Sequence, residues 1–312
     1  MKNLRPDLME KKFSYFTNGL QINSDIEIPE LTKRNGEAQI SIHISDVGKE
    51  LPNTIHKDKF QQISITDYQL EIENVARYRF TFPNKIVIQP FPHSSIQDVR
   101  LYLLASIIPV AVLVNNFIPL HSCCIQVNGK AILVGGVSGA GKSTLALGMY
   151  KKGYEILNDD ISTIGFDNLG NPRAFSGFKQ IKLWEESLAK YGFDPLTFNR
   201  VKDDMSKYRF PLKMDLAVDS LPIKAIYLFQ HDEKEEEVLL TPLKGIHSVT
   251  ELTRNTFRVE LISILQQKML HFERCTKLAQ KVKVISVSRP KRMEPSEFAD
   301  FMENTFLLEC KT

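Results

Sequence analysis

The sequence predicts an α/β (α+β) protein, a mixed sheet with helices on it and a smaller β-rich region ahead of it. Three observations predict this. Residues 131 to 149, AILVGGVSGAGKSTLALGM, read as a buried strand, a glycine-rich turn and the start of a helix. Residues 13 to 95 alternate apolar and polar positions at period two, the pattern of half-exposed strands. Beyond residue 149, short apolar strands are interleaved with apolar positions at helical spacing.

Length and composition set the limits. The chain has 312 residues, 43% of them apolar and 25% charged, which suits an ordinary globular protein with one large or two unequal domains. A boundary falls at 95/96, dividing a small β-rich domain (1–95) from a larger domain (96–312) that holds the glycine-rich turn. The formal charge of +3 is small for this size and implies no nucleic-acid partner. Four cysteines, Cys123, Cys124, Cys275 and Cys310, lack C-x-x-C or Cys/His metal spacing and read as small buried hydrophobes of a reducing compartment. The amino end, MKNLRPDLMEKKFSYF, has no apolar core before a cleavage site. The run LYLLASIIPVAVLV (101–114) is too short to span a bilayer and reads as a buried helix. A cytoplasmic protein with no membrane association is the expectation.

In chain order, strands are expected over Gln39–Ile44, Gln62–Ile65, Tyr68–Ile72, Tyr78–Phe82 and Lys85–Ile88, paired antiparallel. A buried helix (97–114), a strand at His121–Val127 and an Asn128-Gly129 hairpin turn lead into the strand before the glycine-rich turn. Antiparallel pairing then carries His121 towards that turn.

The turn holds Gly136-Val137-Ser138-Gly139-Ala140-Gly141-Lys142-Ser143, which fills G-x-x-x-x-G-K-[ST] at every fixed position. Glycines let successive backbone N–H groups face an anion, and the following helix adds its positive end. Phosphate is the guest this predicts. Gly136, Ser138, Gly139, Ala140, Gly141, Lys142, Ser143 and Thr144 would hold ATP, with Lys142 on the β and γ phosphates and Ser143 on Mg²⁺.

A helix from about Ser143 to Lys151 rises roughly 13 Å, Gly153 ends it, and the strand Tyr154–Asn158 returns about the same distance. A right-handed crossover then leaves Asp159 and Asp160 beside the loop, where carboxylates suit a magnesium ligand and a proton acceptor.

With these residues in hand, the chain resembles a known family. Leu120-His121-Ser122, GGVSGAGKST and GYEILNDDIS (153–162) look like the catalytic domain of HPr kinase/phosphorylase and its relatives, a fold shared with phosphoenolpyruvate carboxykinase. The match is specific from about 118 to 165 and looser elsewhere. The resemblance implies an ATP- and Mg²⁺-dependent serine kinase in which Asp159 is the base on the acceptor, Asp160 joins Ser143 at the metal, and His121 is the active-site histidine. It also implies a basic residue touching the transferred phosphoryl group, for which Lys207 and Arg209 are the candidates. The chain departs from the family at Thr144, usually Glu there, and in AFSGFKQIKLW (174–184), which lacks the family's acidic signature. Its layout is similar to the smaller HPr-kinase-like proteins, some of which phosphorylate the carboxyl-terminal serine of lasso-peptide precursors. A peptide or protein bearing a serine, such as such a precursor, is therefore the implied partner, in an oligomeric state left open.

Further on, Asp203 and Asp204 read as surface. Ala225–Phe229 and Val238–Leu240 read as a hairpin with a charged tip, HDEKEEE. Leu252, Phe257, Leu261, Leu265 and Leu270 recur at helical spacing, so one or two helices cover the sheet. Val282–Val287 is a strand ended by Arg289-Pro290, and Pro295 opens a last helix. Two other readings stay open: a nucleotide-binding regulator or assembly ATPase, and a small-molecule or carboxykinase-like kinase. No N-K-x-D guanine reader is present, and no further carboxykinase metal ligands stand out.

Overall fold

The structure, a computed structural model, describes residues 12–137, 139–178, 180–201, 205–212, 218–230, 236–290 and 292–311. The expectations placed on Ser138, on Asp203 and Asp204 and on residues 231 to 235 of the charged tip lie outside them. Chain contacts divide the protein into two units. The first runs up to Phe117 and takes in Glu260–Gln267; the second takes Ile118–Val259 and the chain from Lys268 on. The division thus falls some twenty residues beyond the expected boundary, because the buried helix goes with the β-rich unit.

The first unit is a nine-stranded sheet: β1 (Phe13–Thr17), β2 (Leu20–Ser24), β3 (Thr32–Lys33), β4 (Ile40–Ile44), β5 (His56–Lys57), β6 (Gln61–Ile63), β7 (Asp67–Ile72), β8 (Ala76–Thr81) and β9 (Lys85–Pro90). Their order is β3-β1-β2-β4-β9-β8-β7-β6-β5. Every strand expected from the alternation is present, but the sheet is mixed rather than antiparallel: β4 runs parallel to both β2 and β9. Alternation reports which face is buried and carries no sign of neighbour direction. The inward rings of Tyr15, Tyr68, Tyr78 and Phe80 are fully buried. Tyr78 Oη donates to Val99 O at 2.9 Å, tying the sheet to the helix that follows.

That helix is α1 (Ile96–Tyr102), a π-helical turn (Leu103–Ile107) and α2 (Ile108–Val114). Pro109 has no N–H to donate, and the wider turn just ahead of it lets the helix continue through the proline. Over its 19 residues it is long and apolar enough, by length and composition, to cross a membrane, whereas the apolar run alone looked too short; 61% of that window is buried in the protein.

The second unit is a sheet covered on both faces. Its strands are β10 (Ile118–Leu120), β11 (Ser122–Val127), β12 (Lys130–Gly136), β13 (Ile156–Asn158), β14 (Ser162–Phe166), β15 (Pro172–Phe175), β19 (Ser220–Gln230), β20 (Leu239–Leu243) and β21 (Lys283–Ser288). A separate three-stranded sheet, β16 (Gln180–Trp184), β17 (Asn199–Arg200) and β18 (Lys207–Pro211), has β18 at its centre. The helices are α3 (Lys142–Lys151), α4 (Glu185–Lys190), α5 (Ile246–Arg254), α6 (Val259–Ile264, nearly all of it in the first unit), α7 (Lys268–Lys281) and α8 (Pro295–Lys311).

Through the middle of the main sheet the order is β20-β21-β19-β12-β11-β13, and β15 pairs with the first residues of β19. β12, β19 and β21 are mutually parallel. β11 is antiparallel to both β12 and β13, which leaves β13 parallel to β12 with one strand between them. The expected hairpin from Ala225 to Leu240 is not formed, since β21 enters between β19 and β20.

Alternate residues of the central strands feed two cores. Ile132, Val134, Tyr227 and Phe229 pack with Leu145 and Met149 of α3 and Phe298, Met302 and Phe306 of α8. Leu133, Ile226 and Leu228 pack with Val249 and Leu252 of α5 and Cys275 and Leu278 of α7. The α8 residues lie at i, i+4 and i+8, one stripe, and burying each contributes about 1.5–3 kcal/mol. The helical stretch from Val249 is broken into three pieces, and Leu270 is exposed on α7. All four cysteines are buried and free.

Candidate active site

Parallel strands end together, so the carboxyl ends of β12, β13, β19 and β21 and the amino end of β11 share one edge of the sheet. Such an edge is where open α/β sheets bind ligands. The glycine-rich loop leaves from it. Gly136 has φ +133°, and a Cβ there would lie 2.5 Å from Phe229 O, so only glycine passes β19 at this point. Gly141, at φ +96°, precedes α3 and turns the chain into it. A cavity of about 430 Å³ opens over Gly139, Gly141, Lys142, Ser143 and Thr144. Lys142 is 7% exposed, and its Nζ donates to Gly136 O (2.7 Å) and Val137 O (3.0 Å), so the ammonium lies across its own loop. Burial lowers its pKa, with Asp159 and Asp160 pulling the other way. A left-handed glycine loop, an ammonium over it and a helix start behind it fit a nucleotide's phosphates.

β11 threads between the loop strand and the strand of the acids, and its register sets their alignment: Ser122 opposes Gly135 and Cys124 opposes Asn158. His121 therefore stands at the same edge, its backbone N–H held by Asn255 O at 2.7 Å. Past β13 the chain makes a three-residue turn, closed by Ile161 N–H to Asp159 O at 3.0 Å, with Asp160 at φ +76°. The turn sends the two carboxylates in different directions. Asp159 accepts from Ser143 Oγ (2.9 Å) and from the Lys182 backbone N–H (2.8 Å). Asp160 faces the cavity and pairs with Lys182 Nζ (3.1 Å) and His121 Nδ1 (3.6 Å).

Their proton affinities diverge accordingly. Burial, helped by the charge of Asp160, pushes Asp159 up to about 6 against its hydrogen bonds to Lys182 and Ser143. Burial also opposes ionisation of Asp160, but Lys182, His121 and Lys207 outweigh it and hold that carboxyl below its ordinary value. His121 is lowered by burial and by Lys142, with Asp160 opposing. The resemblance joined Ser143 with Asp160 at the metal; the structure hydrogen-bonds Ser143 to Asp159 and turns Asp160 to the cavity.

β16 and β18 close the other side. In their register Trp184 opposes Lys207 and Lys182 opposes Arg209. Lys207 lines the cavity with its Nζ 5.6 Å from the Trp184 ring centre. Arg209 gives Nη2 to Val201 O (3.2 Å) and is not among the lining residues. Thr144 Oγ1 meets Ser187 Oγ at 2.8 Å, tying α3 to α4. Ala140 contributes a backbone N–H to Val137 O inside the loop.

Sequence reasoning missed Lys182 and Arg289 as site residues. Lys182 sat in a segment noted for lacking the family's acidic signature, and only strand pairing brings it to the acids. Arg289 was visible only as the residue ending the strand at Val282–Val287; the parallel pairing of that strand with β19 is what brings it to the loop's edge.

Among the described residues no group of three or more His, Cys, Asp or Glu is arranged to hold a metal. A hydroxyl and a carboxylate, Ser143 and Asp159, nevertheless fit Mg²⁺, which takes one or two protein ligands together with phosphate and water.

Fold and loop together define a mixed α/β protein organised around a glycine-rich turn at the edge of its main sheet. No protein-family model matches the chain, and no curated protein matches it. Among solved structures it is similar to the Hpr(Ser) kinase/phosphatase from Coxiella burnetii, at 12% identity and a TM-score of 0.34, over 62% of this chain and 99% of that one.

Proposed function

We propose that the second unit is a kinase that binds ATP with magnesium at the 136–144 loop and transfers the γ-phosphoryl group to a hydroxyl, that of a serine in a peptide or protein. The observation that carries this is the acid pair at the loop's rim, with Asp159 bonded to Ser143 and Asp160 turned to the cavity.

Magnesium, when bound, would offset the negative charge developing on the phosphates. Ser143 and Asp159 are the residues that fit it. Lys142, released from its loop carbonyls, serves the β and γ phosphates, and Lys182 and Lys207 add positive charge around the group in transit. Asp160 receives the proton of the acceptor hydroxyl while that oxygen bonds to phosphorus, the bond to the β–γ bridging oxygen breaks, and ADP leaves. The base role goes to Asp160 and not Asp159 on reach, because Asp160 lines the cavity whereas both Asp159 oxygens already accept hydrogen bonds, from Ser143 and the Lys182 N–H. A low pKa is no obstacle, since phosphoryl transfer asks little of its base until late. His121 orients the Asp160 carboxylate.

The test is incubation with γ-labelled ATP, magnesium and peptides with and without serine, including peptides ending in serine. Label on the serine, lost with a chelator, is expected. Asp160→Asn should cut transfer by about 10²–10⁴-fold with ATP binding kept. Full transfer by that variant would remove Asp160 as base; ATP turnover that never labels a hydroxyl would point to a regulator in place of a kinase.

A further inference from the structure

We infer that Arg289 binds the nucleotide's phosphate chain directly, beside Gly141. This rests on the nucleotide site proposed above and adds a residue to it. Arg289 directly follows β21, whose neighbour β19 runs parallel to the loop strand β12, so the backbone brings it to the loop's edge. There it lines the cavity. A Cβ built on Gly141 would lie 3.3 Å from Arg289 Nη2, so the guanidinium rests against the backbone of the last loop residue before Lys142.

The guanidinium sits over an aromatic ring. The guanidinium carbon lies 5.1 Å from the ring centre of Phe298, which is 2% exposed and anchored in the core. Arg289 is half-buried, and burial lowers its pKa. Yet among the described residues no carboxylate or carbonyl oxygen is recorded as bonded to it, whereas Lys182 and Lys142 in the same cavity have their acceptors. A partly desolvated guanidinium, stacked and lacking an anion, lacks the partner that would offset its burial. Its fork of N–H groups suits two phosphate oxygens at once.

A purely structural arginine would hold Phe298 in place and do nothing for ligands. Calorimetric titration of the full chain separates the two, using wild type, Arg289→Gln and Arg289→Lys with magnesium ADP, inorganic pyrophosphate and adenosine. Arg289→Gln should weaken ADP and pyrophosphate by about 10–100-fold and leave adenosine unchanged. Arg289→Lys, which keeps charge without the fork, should fall between. Equal ADP affinity in wild type and Arg289→Gln overturns the inference and leaves the nucleotide site standing, and an equal loss for adenosine overturns the phosphate role. Wild type that binds neither ADP nor pyrophosphate overturns the site and the inference together. If Arg289→Gln does not fold, the same comparison is read from Arg289→Lys.

Discussion

Substituting Asp159 with Asn removes the one carboxyl of the pair that the fold prefers protonated, and its effect on stability can be worked out from the site. Burial and the neighbouring Asp160 charge raise Asp159 from 3.8 to about 6. Below pH 4 the folded and unfolded chains both carry the proton and Asp159 costs nothing. Between pH 4 and 6 the unfolded chain gives up the proton while the folded chain keeps it, so stability falls as pH rises; above 6 the full cost remains. A displacement of this size corresponds to about 3 kcal/mol. Asparagine keeps an oxygen for the Lys182 N–H and has no charge to desolvate. The variant should therefore gain about 3 kcal/mol over wild type on going from pH 4 to pH 8. Urea unfolding at both pH values, with a chelator present, measures this. Wild-type and variant stabilities that run parallel across that range would refute the account of a proton-retaining, buried Asp159.

Other outcomes follow from single features. Gly136→Ala places a Cβ 2.5 Å from Phe229 O at φ +133°, and should destabilise the protein by about 2–4 kcal/mol in the same unfolding assay. His271 is 1% exposed, meets Thr256 Oγ1 at 3.0 Å, and is lowered to about 4 by burial and then by Arg274. Its neutral form is the folded one, so as pH drops below 6.5 the unfolded chain takes a proton that the folded chain refuses. Wild type should lose about 2 kcal/mol from this group between pH 7 and 5, and His271→Gln should not; equal losses in the two would remove His271 as the cause.

How much of this was legible in the sequence depends on how local each cause is. The strand, loop and helix around Lys142 are written in contiguous residues, and so is the Asn128-Gly129 turn, with φ of +50° and +72°. Placing Asp159 and Asp160 at the loop took only two rises along a helix and a strand. The actual path, with β11 between loop strand and acid strand, reaches the same edge, because two antiparallel steps restore the direction. Pairings across long stretches left no such trace. Nothing in residues 225 to 240 announces that β21 enters beside β19, and nothing near Lys182 shows that its backbone N–H reaches Asp159. The directions taken by the two carboxylates were beyond any motif, since they depend on a backbone angle at Asp160.

That angle has a consequence of its own. A side chain held at φ +76° is under tension that glycine would not feel, and one substitution could relax it while erasing the acid that faces the cavity. Durability and chemistry thus pull against each other at one position. Variants sorted for robustness alone would drift toward glycine there and emerge without the carboxylate that lines the cavity.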